Sequence, residues 1–192
     1  MVDYKKRFIE IVDIFIKRDG IDELMKFLEH SDFYIAPAST QFHESYEGGL
    51  VEHSVKVYER LMNEVLSESD LNYKEFPEFT METIAIIGLF HDICKAGFYK
   101  KEMRNTKDES GKWVQVPFYK VDDKFPVGHS EKSVILLQQF IKLTPEEILA
   151  INAHMGGWDK RDYVISQTFD SEPLAVLLHI ADIKATYLKV VD

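Results

Sequence analysis

Two stretches of this chain are apolar enough to bury a helix on nearly all sides, and both carry acid. Residues 80–95 place Ile84, Ala85, Ile87, Gly88 and Leu89 on more than one helical face, and His91 and Asp92 fall near the end of that run. In LAVLLHIADIKATYL, Asp182 is set in an otherwise apolar helix. An ionised aspartate is expensive to bury there without a metal or a hydrogen-bond donor. A chain built on these two helices has to fold around a polar site.

The 192 residues fit a single domain, 1–192, able to bury roughly 70% of the surface its unfolded chain exposes. Cys94 is the only cysteine, so no intrachain disulfide forms and a reducing, cytoplasmic location is expected. The N-terminus MVDYKKRFIEIVDIFIKRDG alternates charged and apolar residues. No apolar run approaches the roughly 18 residues of a membrane span. With 33 acidic against 23 basic side chains, the formal net charge is -10. That balance repels a long polyphosphate and disfavours stable nucleic-acid binding, but it does not exclude a small phosphorylated ligand.

Helical spacing of Phe8, Ile11, Val12 and Phe15, then of Leu24, Phe27 and Leu28, predicts two N-terminal helices within 1–30, separated at Asp19-Gly20. From Ser31 to Gly49 the periodicity is lost among Pro37, Ser39, Thr40 and Gly48-Gly49, which reads as a loop. The next helix, about Leu50 to Ser67, carries His53. Charged NTKDESGK, flanked by YKKEM and by alternating WVQVPFYKV, predicts a β-hairpin or ordered flap within 98–127. Helices resume at about 129–141, 145–155 and 171–189, with Pro145 suited to a helix start after Thr144. The fold class expected is all-α with a short β-hairpin insertion.

Six residues carry chemistry: His53, His91, Asp92, His129, His154 and Asp182. Their types suit a two-metal hydrolytic site. Neighbours on a helix point about 100° apart, yet His91 and Asp92 can still reach one ion. The Asp92 carboxylate can also bridge to a second ion, which an imidazole with one lone pair cannot do. Mixed imidazole and carboxylate ligands suit iron, manganese, nickel, cobalt or zinc, one ion or two, better than they suit magnesium.

The order of these residues resembles the HD-domain metal-dependent phosphohydrolases. That family's histidine, adjacent His-Asp and distal aspartate are matched by His53, His91-Asp92 and Asp182. The segments FHESYEGGLVEHSV, LFHDICKAG and LLHIADIKA are similar to the family's ligand segments, over a core of about residues 40–189. His129 and His154 look like the histidines that hold a second metal in the binuclear branch. The GGLVEH and HIAD contexts are most similar to HD proteins that include 3′-to-5′ exoribonucleases, although this chain has no room for their separate nucleic-acid-binding domain. Cys94 stands where the family often has glycine.

The resemblance implies a helical bundle around the metals, with His53, His91, Asp92 and Asp182 on the first and Asp92 bridging to a second held by His129 and His154. It implies hydrolysis of a nucleotide or other small phosphate ester, as phosphomonoesterase or phosphodiesterase. A single-strand nuclease and a non-catalytic nucleotide-sensing module are the alternatives. Asp92 and Lys95 are the candidate catalytic residues. Lys95, His43, Arg104, Lys120 and Lys124 are the candidate substrate-binding residues, and the 98–127 insertion would control which substrate enters.

Other conspicuous residues have plainer explanations. His30 and His179 read as structural histidines, Lys184 faces away from Asp182, and Cys94 reads as buried packing. Trp113, Phe118, Tyr119 and Phe125 could stack on a base, but packing within the hairpin accounts for them. The charges at 100–112 read as a solvated loop.

Overall fold

The computed structural model describes residues 2–41, 43–70, 79–158 and 162–188. Among them are eight α-helices and one antiparallel hairpin. They run α1 (Tyr4–Phe15), α2 (Ile21–His30), α3 (Gly49–Asp70), α4 (Met81–Phe90), β1 (Tyr99–Lys107), β2 (Trp113–Val121), α5 (His129–Leu137), α6 (Pro145–Ala153), α7 (Asp162–Ser171) and α8 (Pro173–Tyr187). The helical class with a small hairpin is as the sequence predicts.

Helix α3 is the axis of the structure, packed along α8, α4 and α1, while α6 joins α8 to α5. Its inward stripe runs His53, Val57, Leu61 and Val65, four residues apart and all buried. The same periodicity that buries the valines and leucine therefore carries His53 into the core. Helix α4 is buried continuously from Ile84 to Phe90, and the Phe8 ring meets Phe90 edge to face at 5.5 Å and Phe33 in a tilted contact at 5.3 Å. The N-terminal helices are fastened to this core by Arg18, whose guanidinium reaches Glu82 at 3.1 Å and the fully buried Glu147 at 2.5 Å. Glu147 also closes a capping box with Thr144 at the start of α6, where Pro145 takes the first turn.

The hairpin pairs Tyr99 with Val121 through Lys107 with Trp113. Its turn is organised by the Asp108 carboxylate, which accepts from the backbone of Ser110 and Lys112 at 2.9 and 3.0 Å. At its root the Asp122 amide donates to the Phe98 carbonyl at 2.8 Å. The Lys132 ammonium of α5 lies 5.0 Å from the Phe98 ring centroid and 2.5 Å from Asp123, so one cation holds both ends of the insertion.

Three elements differ from the sequence expectation. The helix expected over 80–95 stops at Phe90. His91 is its last α-conformer, Asp92 leaves with φ -109° and ψ 17°, and Ile93–Lys95 form a single 3₁₀ turn. Helix α8 starts at Pro173 with Glu172 as its cap, and a separate helix, α7, precedes it. The sequence DYVISQTFDS hid α7, because among its described side chains only Ile165 and Thr168 are buried, too few for an apolar stripe. Packing does not account for every hairpin aromatic either. Trp113 and Phe125 are 66% and 50% exposed.

Gly88 is where α4 touches α3. A β-carbon there would stand 2.8 Å from the Tyr58 α-carbon, and backbone cannot yield as a side chain can. Gly88→Ala is expected to destabilise the protein. Overpacking costs about 1–3 kcal/mol, against roughly 1 kcal/mol returned by alanine's helix propensity. A lowered thermal midpoint would show this, and an unchanged or raised one would refute it.

Candidate metal centre

Each of the six residues reaches the site from a different structural position. His53 comes from the first turns of α3, His129 opens α5, and Asp182 lies midway along α8. His91 and His154 occupy equivalent places, each the cap residue ending a helix, α4 or α6. Carbonyls in the last turn of a helix keep acceptor capacity to spare, and each imidazole bonds one. The Nδ1–H of His91 donates to the Gly88 carbonyl at 3.0 Å, and that of His154 to the Ile151 carbonyl at 2.6 Å. Both rings are thereby fixed with Nε2 facing inward.

The imidazoles form a chain. Ring centroids are 5.4 Å apart for His53 and His91, 5.0 Å for His91 and His154, and 5.6 Å for His154 and His129. Asp92 lies among them, and its two oxygens divide them. Oδ2 is 3.8 Å from His53 Nε2 and 3.6 Å from His91 Nε2. Oδ1 contacts His129 Nε2 and is 3.6 Å from His154 Nε2. Asp182 Oδ1 is 3.1 Å from His53 Nε2.

Lys95 sits against the Oδ2 side, with its ammonium 2.6 Å from that oxygen. The 3₁₀ turn brings it there, because residues three apart eclipse in that helix. Burial alone would raise the Asp92 pKa, but Lys95, His129 and His91 more than offset this and hold it well below the ordinary carboxylate range. Burial likewise would lower the Lys95 pKa, and Asp92 reverses that, keeping the ammonium charged. For His91 burial wins, and its pKa falls to about 3. That ring is neutral, the form that binds a cation.

These side chains fit a divalent metal. Nε2 of His53, His91 and His154 is buried without a hydrogen-bond partner, and such groups are rare in folded proteins unless an ion or water satisfies them. Ligand atoms of His53, His91 and Asp92 lie within 4.8 Å of one another, as do those of His91, His154 and Asp182 and those of Asp92, His129 and His154.

The other candidates are distributed as follows. His43 stacks on His53 at a centroid distance of 4.8 Å, with both ring nitrogens buried and unpartnered. Burial first, then the proximity of His53 and Lys95, lowers its pKa to about 4. Arg104 lies over the Phe118 ring of the hairpin at 5.4 Å. Lys120 pairs with Glu102 at 3.7 Å and Lys124 with Asp122 at 3.6 Å, so the structure does not bring these three into contact with the six. His179 donates to the His154 carbonyl at 2.7 Å and packs on Phe169, a structural role. His30 bonds the Lys26 carbonyl on the surface, and Lys184 turns to Glu64. Cys94 is buried as expected, but its Sγ also lies 3.3 Å from His129 Nδ1. Nothing in the residue pattern signals that contact, nor Glu44, which lies beside His53.

A helical domain with histidines and aspartates converging on buried, unpartnered nitrogens is the kind that can hold a divalent metal. The HD domain family model matches residues 50–187, and the chain belongs to the HD-domain family, whose members are generally metal-dependent hydrolases. No curated protein and no solved structure matches it significantly. No helix among the described residues is long and apolar enough to cross a membrane.

Burial and the neighbouring Asp92 push the Cys94 thiol to about 12. Only the thiolate is an effective nucleophile, so the native protein should resist iodoacetamide near neutral pH and react stoichiometrically once unfolded in guanidinium. Rapid alkylation of the native protein, followed by mass spectrometry, would contradict this placement.

Proposed function

We propose that the protein is a metal-dependent phosphohydrolase with two divalent ions bridged by Asp92, acting on a nucleotide or other small phosphate ester. The observation that carries this reading is the division of Asp92. One oxygen faces His53 and His91, the other His129 and His154, and Asp182 approaches from the His53 side. His53, His91, Asp92 and Asp182 would hold one ion, and Asp92, His129 and His154 the other. The imidazole-rich donor set suits iron, manganese, nickel, cobalt or zinc in preference to magnesium. Bound there, such a metal polarises a phosphoryl oxygen and lowers the pKa of water from 15.7 toward about 7.

The chain's own residues then supply position and charge. His91 and His154 are held by helix-end carbonyls, so their lone pairs are aimed before any ligand arrives. Lys95, at the Oδ2 side of Asp92, is placed to neutralise charge developing on a phosphoryl group. His43, neutral and above His53, offers one donor and one acceptor to substrate oxygens. Arg104 and Lys101 line a groove of about 590 Å³ between the hairpin and residues 40–41 and 45–47, beside Tyr46 and Tyr119. That groove, with bases to stack on its rings and cations for phosphates, favours a single-strand nuclease as the second reading. Lys120 and Lys124 lie elsewhere on the insertion, their ammonium groups already paired with Glu102 and Asp122.

Elemental mass spectrometry of protein purified without chelator should find two transition-metal equivalents, and both should be lost in Asp92→Ala. One equivalent would reduce the site to a mononuclear centre. The loaded protein should hydrolyse a member of a phosphate-ester panel. Saturable nucleotide binding without product would instead make it a sensing module, and shortening of a labelled oligonucleotide would favour the nuclease.

Lys95→Met should retain metal while kcat/KM falls on the order of 10²-fold, the scale of losing one charge-stabilising donor. Unchanged kcat/KM would remove Lys95 from the reaction.

A further inference from the structure

The four imidazoles of the cluster share one arrangement, which exposes a residue of a different kind. Each turns Nε2 toward the aspartates, and behind three of them Nδ1 meets an acceptor: the Gly88 carbonyl for His91, the Ile151 carbonyl for His154, and Cys94 Sγ for His129. Behind His53 stands Glu44. Its Oε2 is 3.9 Å from His53 Nδ1, and both atoms are buried without a hydrogen-bond partner. The other carboxylate oxygen is engaged by Lys56 at 3.0 Å, which leaves Oε2 facing the ring.

Glu44 is held there at some cost. It is the only non-glycine residue with positive φ among those described, at 37°, a conformation that persists only where its surroundings enforce it. The Ala38 amide donates to its carbonyl at 3.0 Å. Gly49, the first residue of α3, packs so closely on the Glu44 backbone that a β-carbon there would overlap it. The loop and the helix that carries His53 are thus locked against each other at this residue, and its side chain is 8% exposed.

We propose that Glu44 is the positioning residue of His53. Its carboxylate is the acceptor that Nδ1–H faces, which favours the tautomer whose Nε2 lone pair faces Asp92 and Asp182 and makes that ligand more basic. A third cation among His43, Glu44 and His53 is the competing arrangement, since their ligand atoms also lie within 4.8 Å of one another. A neutral imidazole has one lone pair, however, and in His53 it is the Nε2 side that faces two aspartates. On the Glu44 side the ring presents a proton. The inference rests on the metal-binding part of the proposed function and not on its substrate.

The test is titration of the 192-residue chain with cobalt(II), followed by its visible absorption and by competition with a chelator, for wild type, Glu44→Ala and Glu44→Gln. Glu44→Gln keeps the shape and an acceptor oxygen, so it remains informative if Glu44→Ala folds poorly; circular dichroism checks both. The equivalent bound through His53 should weaken about 10–100-fold in Glu44→Ala and recover in part in Glu44→Gln. The equivalent bound through His129 and His154 should keep its affinity and its spectrum. Equal loss of both equivalents would make Glu44 merely structural, and unchanged affinity in a folded variant would overturn the proposal. A third wild-type equivalent, lost in Glu44→Ala while the first stays intact, would replace positioning by ligation. Wild-type protein that binds cobalt but cleaves no ester would sink the hydrolase reading alone, and protein that binds no cobalt would sink both.

Discussion

The structure depends on keeping one carboxylate ionised inside the protein. Asp92 is 3% exposed at the end of a helix whose last seven residues are fully buried. Removing a carboxylate from water costs several kcal/mol even after relaxation. Hydrophobic burial of α4 delivers the charge to the interior but cannot compensate it. Lys95 and the surrounding imidazoles do, and their positions follow from how the neighbouring elements end. If α4 continued regularly past Phe90, His91 could not bond the Gly88 carbonyl as a cap, and Lys95 would lose the tight turn that sets it over Asp92.

The ligands differ in what holds them. His91 and His154 are oriented by the carbonyl three residues earlier in their own helices, so their geometry is local. His53 and His129 depend on side chains from other segments, Glu44 and Cys94. A carboxylate is a strong acceptor of an imidazole proton and a thiol a weak one. The two ends of the cluster are therefore chemically unequal although their ligand types match. Cys94, buried against His129, gives that end its character.

His91, Asp92 and Asp182 were legible because ionisable groups inside apolar helices are conspicuous, whereas His53, His129 and His154 were legible only from their order along the chain and its resemblance to the HD family. The hairpin was legible from the alternation of WVQVPFYKV. Glu44 was not, since an acid in FHESYEGG reads as a solvated loop residue until the loop is seen folded against α3. Nor was the end of α4, because Ile93, Cys94 and Lys95 are all acceptable in a helix and only tertiary bonding turns them into 3₁₀. Helix α7 was missed for the opposite reason. It buries too little to leave a periodic signature, and its helicity comes from docking on its neighbours.

The clamp at the base of the hairpin also bears on how the insertion can change. Lys132 binds both ends of it and belongs to the helix that begins with His129. Beyond that clamp the strands present mostly exposed side chains, from Lys100 through Asn105 on β1. Residues near the tip can be exchanged, lengthened or trimmed without loading any ligand, whereas a change at Phe98 or Asp123 acts directly on α5. The insertion is a module with a fixed socket and a replaceable head, free to vary in length and charge while α5 and the His129 at its start stay as they are.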